Sequence, residues 1–254
     1  MIRLFRKIRQ RLIIEKKAGN YFLYAFGEVI ILIFGILIAI QLNNWNDQRL
    51  NNNTEIEILK ALKAGLSKDL YGLSLDKKTH NQQIKSSQII LNHFENDKPY
   101  HDSLKLHFSN TCIFTVPFIN IGAYETLKSK GVGIISNAKL RDSIIDLYDN
   151  YYKFLDLMSK NNMNKVGHYE NFVLDSRFDQ ALNDDLEAFL EFEILQGSMI
   201  PNNYEYLRRD KEYYFWLQTL KNYSLSYMAI LDNTNELVLD IIKDIDKELQ
   251  ILEN

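Results

Sequence analysis

Residues 21–42, YFLYAFGEVIILIFGILIAIQL, form an apolar run with a single charge, Glu28. Twenty-two residues at helical rise span about 33 Å, enough for a bilayer core of about 30 Å. In lipid a helix satisfies every one of its own backbone groups, so this run predicts a transmembrane helix. Tyr21, Phe22 and Tyr24 stand at one end and Trp45 just beyond the other, as interfacial aromatic belts do. A buried core helix is the soluble alternative, and no other stretch of the chain matches this apolar density. A cleaved signal peptide is the second alternative. The basic region ahead of the run is long for one, and Ala39-Ile40-Gln41 does not supply a small-x-small cleavage site.

The flanks set an orientation. Residues 1–20 carry Arg3, Arg6, Lys7, Arg9, Arg11, Lys16 and Lys17 against Glu15, a net +6, which leaves −9 for the rest of a chain whose formal charge is −3. Only Arg49 and Lys60 occur in the twenty residues after the run. This asymmetry predicts an uncleaved signal anchor in the inner (cytoplasmic) membrane. The N-terminus is then cytoplasmic and the C-terminal domain periplasmic. Leu4 or Phe5, Ile8 and Leu12 recur at helical spacing among the basic residues. Residues 1–20 therefore read as an amphipathic arm on lipid headgroups, with Gly19-Asn20 as a break before the span. A nucleic-acid-binding arm is the competing reading, and the acidic remainder of the chain argues against it.

Glu28 lies about 10 Å along the helix axis from Tyr21. On a helical wheel it shares a stripe with Ala25, Leu32, Gly35 and Ala39, and Gly35-x-x-x-Ala39 is a small-xxx-small pair. Three readings follow: the carboxylate snorkels to the interface, the stripe packs against a second helix, or the acid handles a proton or ion. The second gives two partners besides the bilayer, another copy of this chain or another membrane protein.

Beyond the span, residues 43–254 contain only 3 prolines and few glycines, which favours long helices. Leu59, Leu62, Leu66, Leu70 and Leu73 recur at three and four. The pattern weakens across DKKTHNQQ and resumes at Ile84, Leu91 and Phe94. A second stripe starts after Asn137, a plausible N-cap, and runs through Leu140, Ile144, Leu147, Tyr151, Leu155 and Met158, with Gly167 as a bend. A third runs from Leu217 through Leu231 and Ile245 to Leu249. These stripes predict helices over about 46–96, 137–175 and 204–252. The fold class is all-α, a transmembrane helix running into an elongated antiparallel bundle, with coiled-coil-like packing. Residues 97–136 read as an irregular linker, extended or looped at TCIFTVPFINIGAY, with a short helix at AYETLKSK ended by Gly131.

No standard catalytic constellation emerges, and the chain reads as non-enzymatic. His101, His107 and Cys112 lie close in sequence, but their spacing matches no standard ligand pattern, so no metal and no cofactor is expected. SKGVGIIS lacks the rest of a phosphate loop. Asp184-Asp185 reads as a loop or helix-start pair. Tyr148, Tyr151, Tyr152, Tyr213, Tyr214 and Trp216 either line an inter-helix ligand pocket or form bundle core with polar tips at its edge.

YAFGEVIILIFGILIAIQLNNWND, preceded by LFRKIRQRLIIEKK and followed later by YETLKSKGVGIISNAKLRDSIIDLYDNYY, resembles a bacterial domain-of-unknown-function family of small Gram-negative membrane proteins with one N-terminal span. The resemblance is strongest over 1–60 and 123–152. It implies an envelope protein and supplies no catalytic residues. The expected role is an envelope scaffold, sensor or partner-binding module. A periplasmic ligand-binding receptor with the tyrosine pocket is the alternative.

Overall fold

Helix α1 runs from Ala18 to Glu95 without a proline to interrupt it. The computed structural model describes residues 18–113, 115–172, 174–183 and 197–253. Contacts divide the chain into two units, Met1–Thr54 and Glu55–Asn254. In the first, Gly19 and Asn20 are helical residues of α1 and do not make the expected break. This helix is the one long and apolar enough to cross a membrane among the described residues. Its best 18-residue window has mean hydropathy 2.2, with none of that window buried.

The second unit is built on the continuation of α1. Two interleaved seven-residue series turn inward from it. Leu59, Leu66, Leu73, His80, Ser87 and Phe94 form one; Glu55, Leu62, Asp69, Asp76, Gln83 and Ile90 form the other, and all twelve are buried. This is the seam of packed helices. It does not weaken across DKKTHNQQ; it continues with polar side chains.

After α1, the chain forms α2 (Leu104–Asn110), where the sequence reads as irregular linker, and α3 (Gly122–Lys130), the short helix expected at AYETLKSK. Gly131, at φ 92, closes α3 as expected of a glycine C-cap. Asn137 caps α4 (Ala138–Asp146), accepting from the Leu140 N–H at 3.2 Å. A wider turn of π geometry (Leu147–Tyr151) leads into α5 (Tyr152–Phe172), which passes through Gly167 and stops before the expected 175. Strands β1 (Phe178–Asn183) and β2 (Gly197–Pro201) pair antiparallel, a small addition to the all-α expectation. A one-turn helix, α6 (Tyr204–Leu207), precedes α7 (Lys211–Leu252). The expected single helix over 204–252 is interrupted because Asp210 caps α7, accepting from the Glu212 N–H at 2.9 Å. Arg177 clamps this cap, donating to Asp210 at 2.8 Å and to Glu212 at 2.9 Å.

Ion pairs fix the directions. Lys60 meets Glu253 at 2.6 Å, and Lys63 and Lys77 meet Asp246 and Asp232, so α7 runs antiparallel to α1. Glu55 accepts from Ser136 and Asp69 from Tyr152, so α4 and α5 run parallel to α1. The return between them is made by residues 113–136. Their first part is extended and lies against α1, with Thr115 on Asp76 and Asn120 on Asp69.

Two glycines on α1 make room for that return segment. A Cβ on Gly72 would sit 3.2 Å from the Phe118 carbonyl oxygen, whereas one on Gly65 would sit 3.5 Å from Asn120 Cβ, an ordinary contact. Gly72→Val is expected to destabilise by about 2 kcal/mol through overpacking. Gly65→Ala should be neutral or stabilising by up to about 1 kcal/mol through helix propensity. Thermal denaturation of both variants checks the contrast, and equal midpoints would refute it.

Candidate functional site

The polar seam residues gather into one layer. Below it, Leu59 to Leu73 of α1, Leu140 to Leu155 and Tyr227 to Leu249 form one apolar core. Above it, Ile90 to Phe94, Phe108, Val166, Phe178 and Tyr213 to Leu220 form a second. Between the two lie Asp76, Thr79, His80, Gln83, Ser86 and Ser87 of α1, Asn110 and Thr111, Ser159 and Asn162 of α5, and Ser224 of α7, all buried. Each helix changes from apolar to polar and back at the same level.

The layer is held by hydrogen bonds. Ser224 donates to Gln83 Oε1 at 3.0 Å, and His80 Nδ1 lies 3.2 Å from Ser224 Oγ. The Gln83 amide donates to the Ile113 carbonyl of the return segment. Asp76 accepts from Thr115 and, at 3.0 Å, from the Tyr227 hydroxyl. One heptad down, Asp69 accepts from the Asn120 N–H at 2.8 Å, its side-chain amide at 2.6 Å and the Tyr152 hydroxyl at 3.0 Å. Neither carboxylate meets a cation in these contacts. Burial pushes both above the usual carboxylate range, with the donors opposing. Burial also pushes His80 down to about 4, so its imidazole is neutral. It packs on the Tyr227 ring, 4.5 Å between centroids.

A serine beside a histidine invites a nucleophilic reading, but the geometry opposes it. The Ser224 proton is committed to Gln83, which leaves the His80 nitrogen as donor rather than base. Ser224 is fully buried and His80 is 2% exposed. What the layer does chemically is hold the extended segment against α1 through Asp69, Asp76 and Gln83.

The six aromatic candidates do not share a cavity. Tyr148 stacks on Tyr124 at 4.4 Å and meets Tyr152 edge-on at 5.2 Å in the first core. Tyr213 packs among Phe94, Phe108 and Phe178 in the second, and Trp216 stacks on Tyr169 at 4.2 Å. Tyr214 turns outward to Glu95, 2.7 Å away. Tyr151 alone of the first three faces an open groove of about 540 Å³, with Phe154, Leu157 and Ile230.

On the apolar helix, Leu32 is exposed, and a Cβ on Gly35 would meet nothing within 4 Å. Ala39 is exposed and Glu28 half-exposed; the Ala25 side chain lies outside the described residues. Arg3, Arg6, Lys7, Arg9, Arg11, Lys16, Lys17, Asp184 and Asp185 also lie outside them. His101 bonds Ser103, His107 bonds Ser86, and Cys112 contacts Met199, so the three go to different partners. Among the described residues no three metal-ligating side chains converge.

The polar layer is not visible to a reading of apolar stripes, where it registers only as a weakening of the pattern. The signal was the seven-residue spacing of Asp69, Asp76 and Gln83, and of His80 and Ser87.

No curated protein and no solved structure matches the chain. The model of one family, described as a family of unknown function, matches residues 28–182. That match takes in the apolar helix from Glu28, the α1 side of the polar layer, the extended return segment and α5. Covering more than half of the sequence, it shows that the chain belongs to the DUF6090 family.

Proposed function

We propose that this is a single-pass envelope protein of the inner membrane, with its N-terminus cytoplasmic and its helical domain periplasmic. It acts without catalysis, as a scaffold, sensor or partner-binding module. The observation that carries the reading is the bare apolar helix. Phe26, Ile31, Leu32, Phe34 and Leu42 are each more than 60% exposed, as is Trp45 at the run's end. A continuous apolar surface of this length is untenable in water and suited to lipid. The basic excess on the N-terminal side supports the orientation, and the resemblance to single-span Gram-negative proteins supports the compartment. The face of Ala25, Glu28, Leu32, Gly35 and Ala39 is the proposed contact for a second copy or another membrane protein.

Alkaline carbonate washing should leave the protein in the membrane pellet. A C-terminal alkaline phosphatase fusion should be active and a C-terminal green fluorescent protein fusion dark. Release by carbonate would overturn the anchor, and a fluorescent fusion the orientation. Cysteines at Gly35 and Ala39 should crosslink to a partner helix, with capture reduced by Glu28→Gln. Absence of any crosslink removes the basis for the packing face.

A further inference from the structure

At the end of α1, a groove of about 460 Å³ is lined by Lys85, Gln88, Ile89, Asn92, His93 and Lys98. Five of these stand on one face of α1, at spacings of three and four. Lys98 is brought to them by the way the helix ends. The Lys98 N–H donates to the His93 carbonyl at 3.0 Å and the Asp97 N–H to that of Phe94 at 3.3 Å, with Asp97 left-handed at φ 49. This Schellman-type closure folds the chain back over the last turn. Tyr204 fixes it by donating to the Lys98 carbonyl at 3.1 Å, and the Lys98 ammonium then donates to Asn92 at 2.5 Å.

No carboxylate lines the groove, in a part of the chain that is acidic as a whole. The nearby acids are engaged elsewhere. Glu95 accepts from Tyr214, Asp97 meets Arg208 at 3.1 Å, and Asp102 meets Lys105 at 3.2 Å. The two lysines are therefore uncompensated. The charge is felt locally: burial, then the Lys98 ammonium, hold His93 below the ordinary histidine range, although His93 is only part-buried.

We propose that this groove is a binding site for a small oxyanion of the phosphate type, held by Lys85 and Lys98 with Gln88 and Asn92 as further donors and the His93 ring as a neighbour. Lysine ammoniums bind phosphate as point charges, and side-chain amides complete its hydrogen bonds. The inference does not rest on the membrane reading.

The test uses the full chain in phosphatidylcholine nanodiscs, with inorganic phosphate titrated against chloride at constant ionic strength. The His93 imidazole signal is followed by NMR. Phosphate should shift it saturably where chloride does not. Lys85→Gln/Lys98→Gln should weaken binding about tenfold or more, as loss of two charge-assisted contacts requires. Lys128→Gln/Lys130→Gln, on α3, should leave it unchanged. Glycerol 1-phosphate competing as well as inorganic phosphate would assign the site to phosphate esters such as lipid headgroups; failure to compete would assign it to the free ion. A chloride response equal to that of phosphate would overturn the proposal, as would a change below about twofold in the Lys85/Lys98 variant. Both lysines are solvent-exposed, so the variants retain the fold.

Discussion

Asp69→Ala is expected to lower the thermal midpoint of the helical domain by about 10 °C, corresponding to about 3–5 kcal/mol. Asp69 is fully buried, and three donors converge on it: the Asn120 N–H, the Asn120 amide and the Tyr152 hydroxyl. Truncation orphans all three in an apolar setting, and each buried unpaired donor costs about 1–3 kcal/mol before any water enters. Asp69→Asn separates this from a charge effect. It keeps one acceptor oxygen and removes a carboxylate that burial already disfavours, so its loss should be less than half as large. Midpoints of both variants within about 2 °C of wild type would show that the extended segment is held by something else.

The second large effect is on pH dependence, through His80. The fold holds its imidazole at about 4, against an ordinary value of 6.5. Only the unfolded chain takes up the proton between those values. The stabilising contribution is therefore complete above pH 6.5 and is lost as pH falls toward 4, by about 3 kcal/mol in all. Asp69 and Asp76 act in the opposite sense, because their carboxyl groups sit above the usual range and favour the folded state as they protonate. The groups facing His80 are Ser224 and the rings of Tyr223 and Tyr227, with Gln83 beside it; none titrates near neutrality. His80→Gln should thus be flatter than wild type in stability between pH 6.5 and 4.5. Superimposable pH profiles would remove His80 from the account.

The long helices were legible because their apolar stripes are local and periodic. Leu59 through Leu73 and Leu217 through Leu249 fall in the seams where they were read. The candidate site was not legible in the same way. Asp76, His80, Gln83 and Ser87 sit at seam positions, but hydrophobicity alone registers them as a gap. That residues 115–120 lie along α1 is decided by Asp76 and Asp69, 39 and 51 residues away in sequence. The aromatic pairs misled for a geometric reason. Neighbours on a helix point about 100° apart, so Tyr213 enters the core while Tyr214 faces Glu95. The antiparallel pair of β1 and β2 carries no strong alternation and follows from its packing on α2 and the second core.

The polar layer also bears on how the helices find their alignment. Leucine stripes with a seven-residue repeat are nearly self-similar, so sliding one helix by two turns costs an all-leucine seam little. In α1 such a slide would carry Leu62 to the level of Asp69, or Ile90 to that of Gln83. One carboxylate would then reach only the other's donors, and the other would be left without its own tyrosine and its threonine or asparagine. The layer thus acts as an indexing mark. It gives up some apolar burial and in return leaves α1, α5 and α7 one setting in which every buried acid is matched.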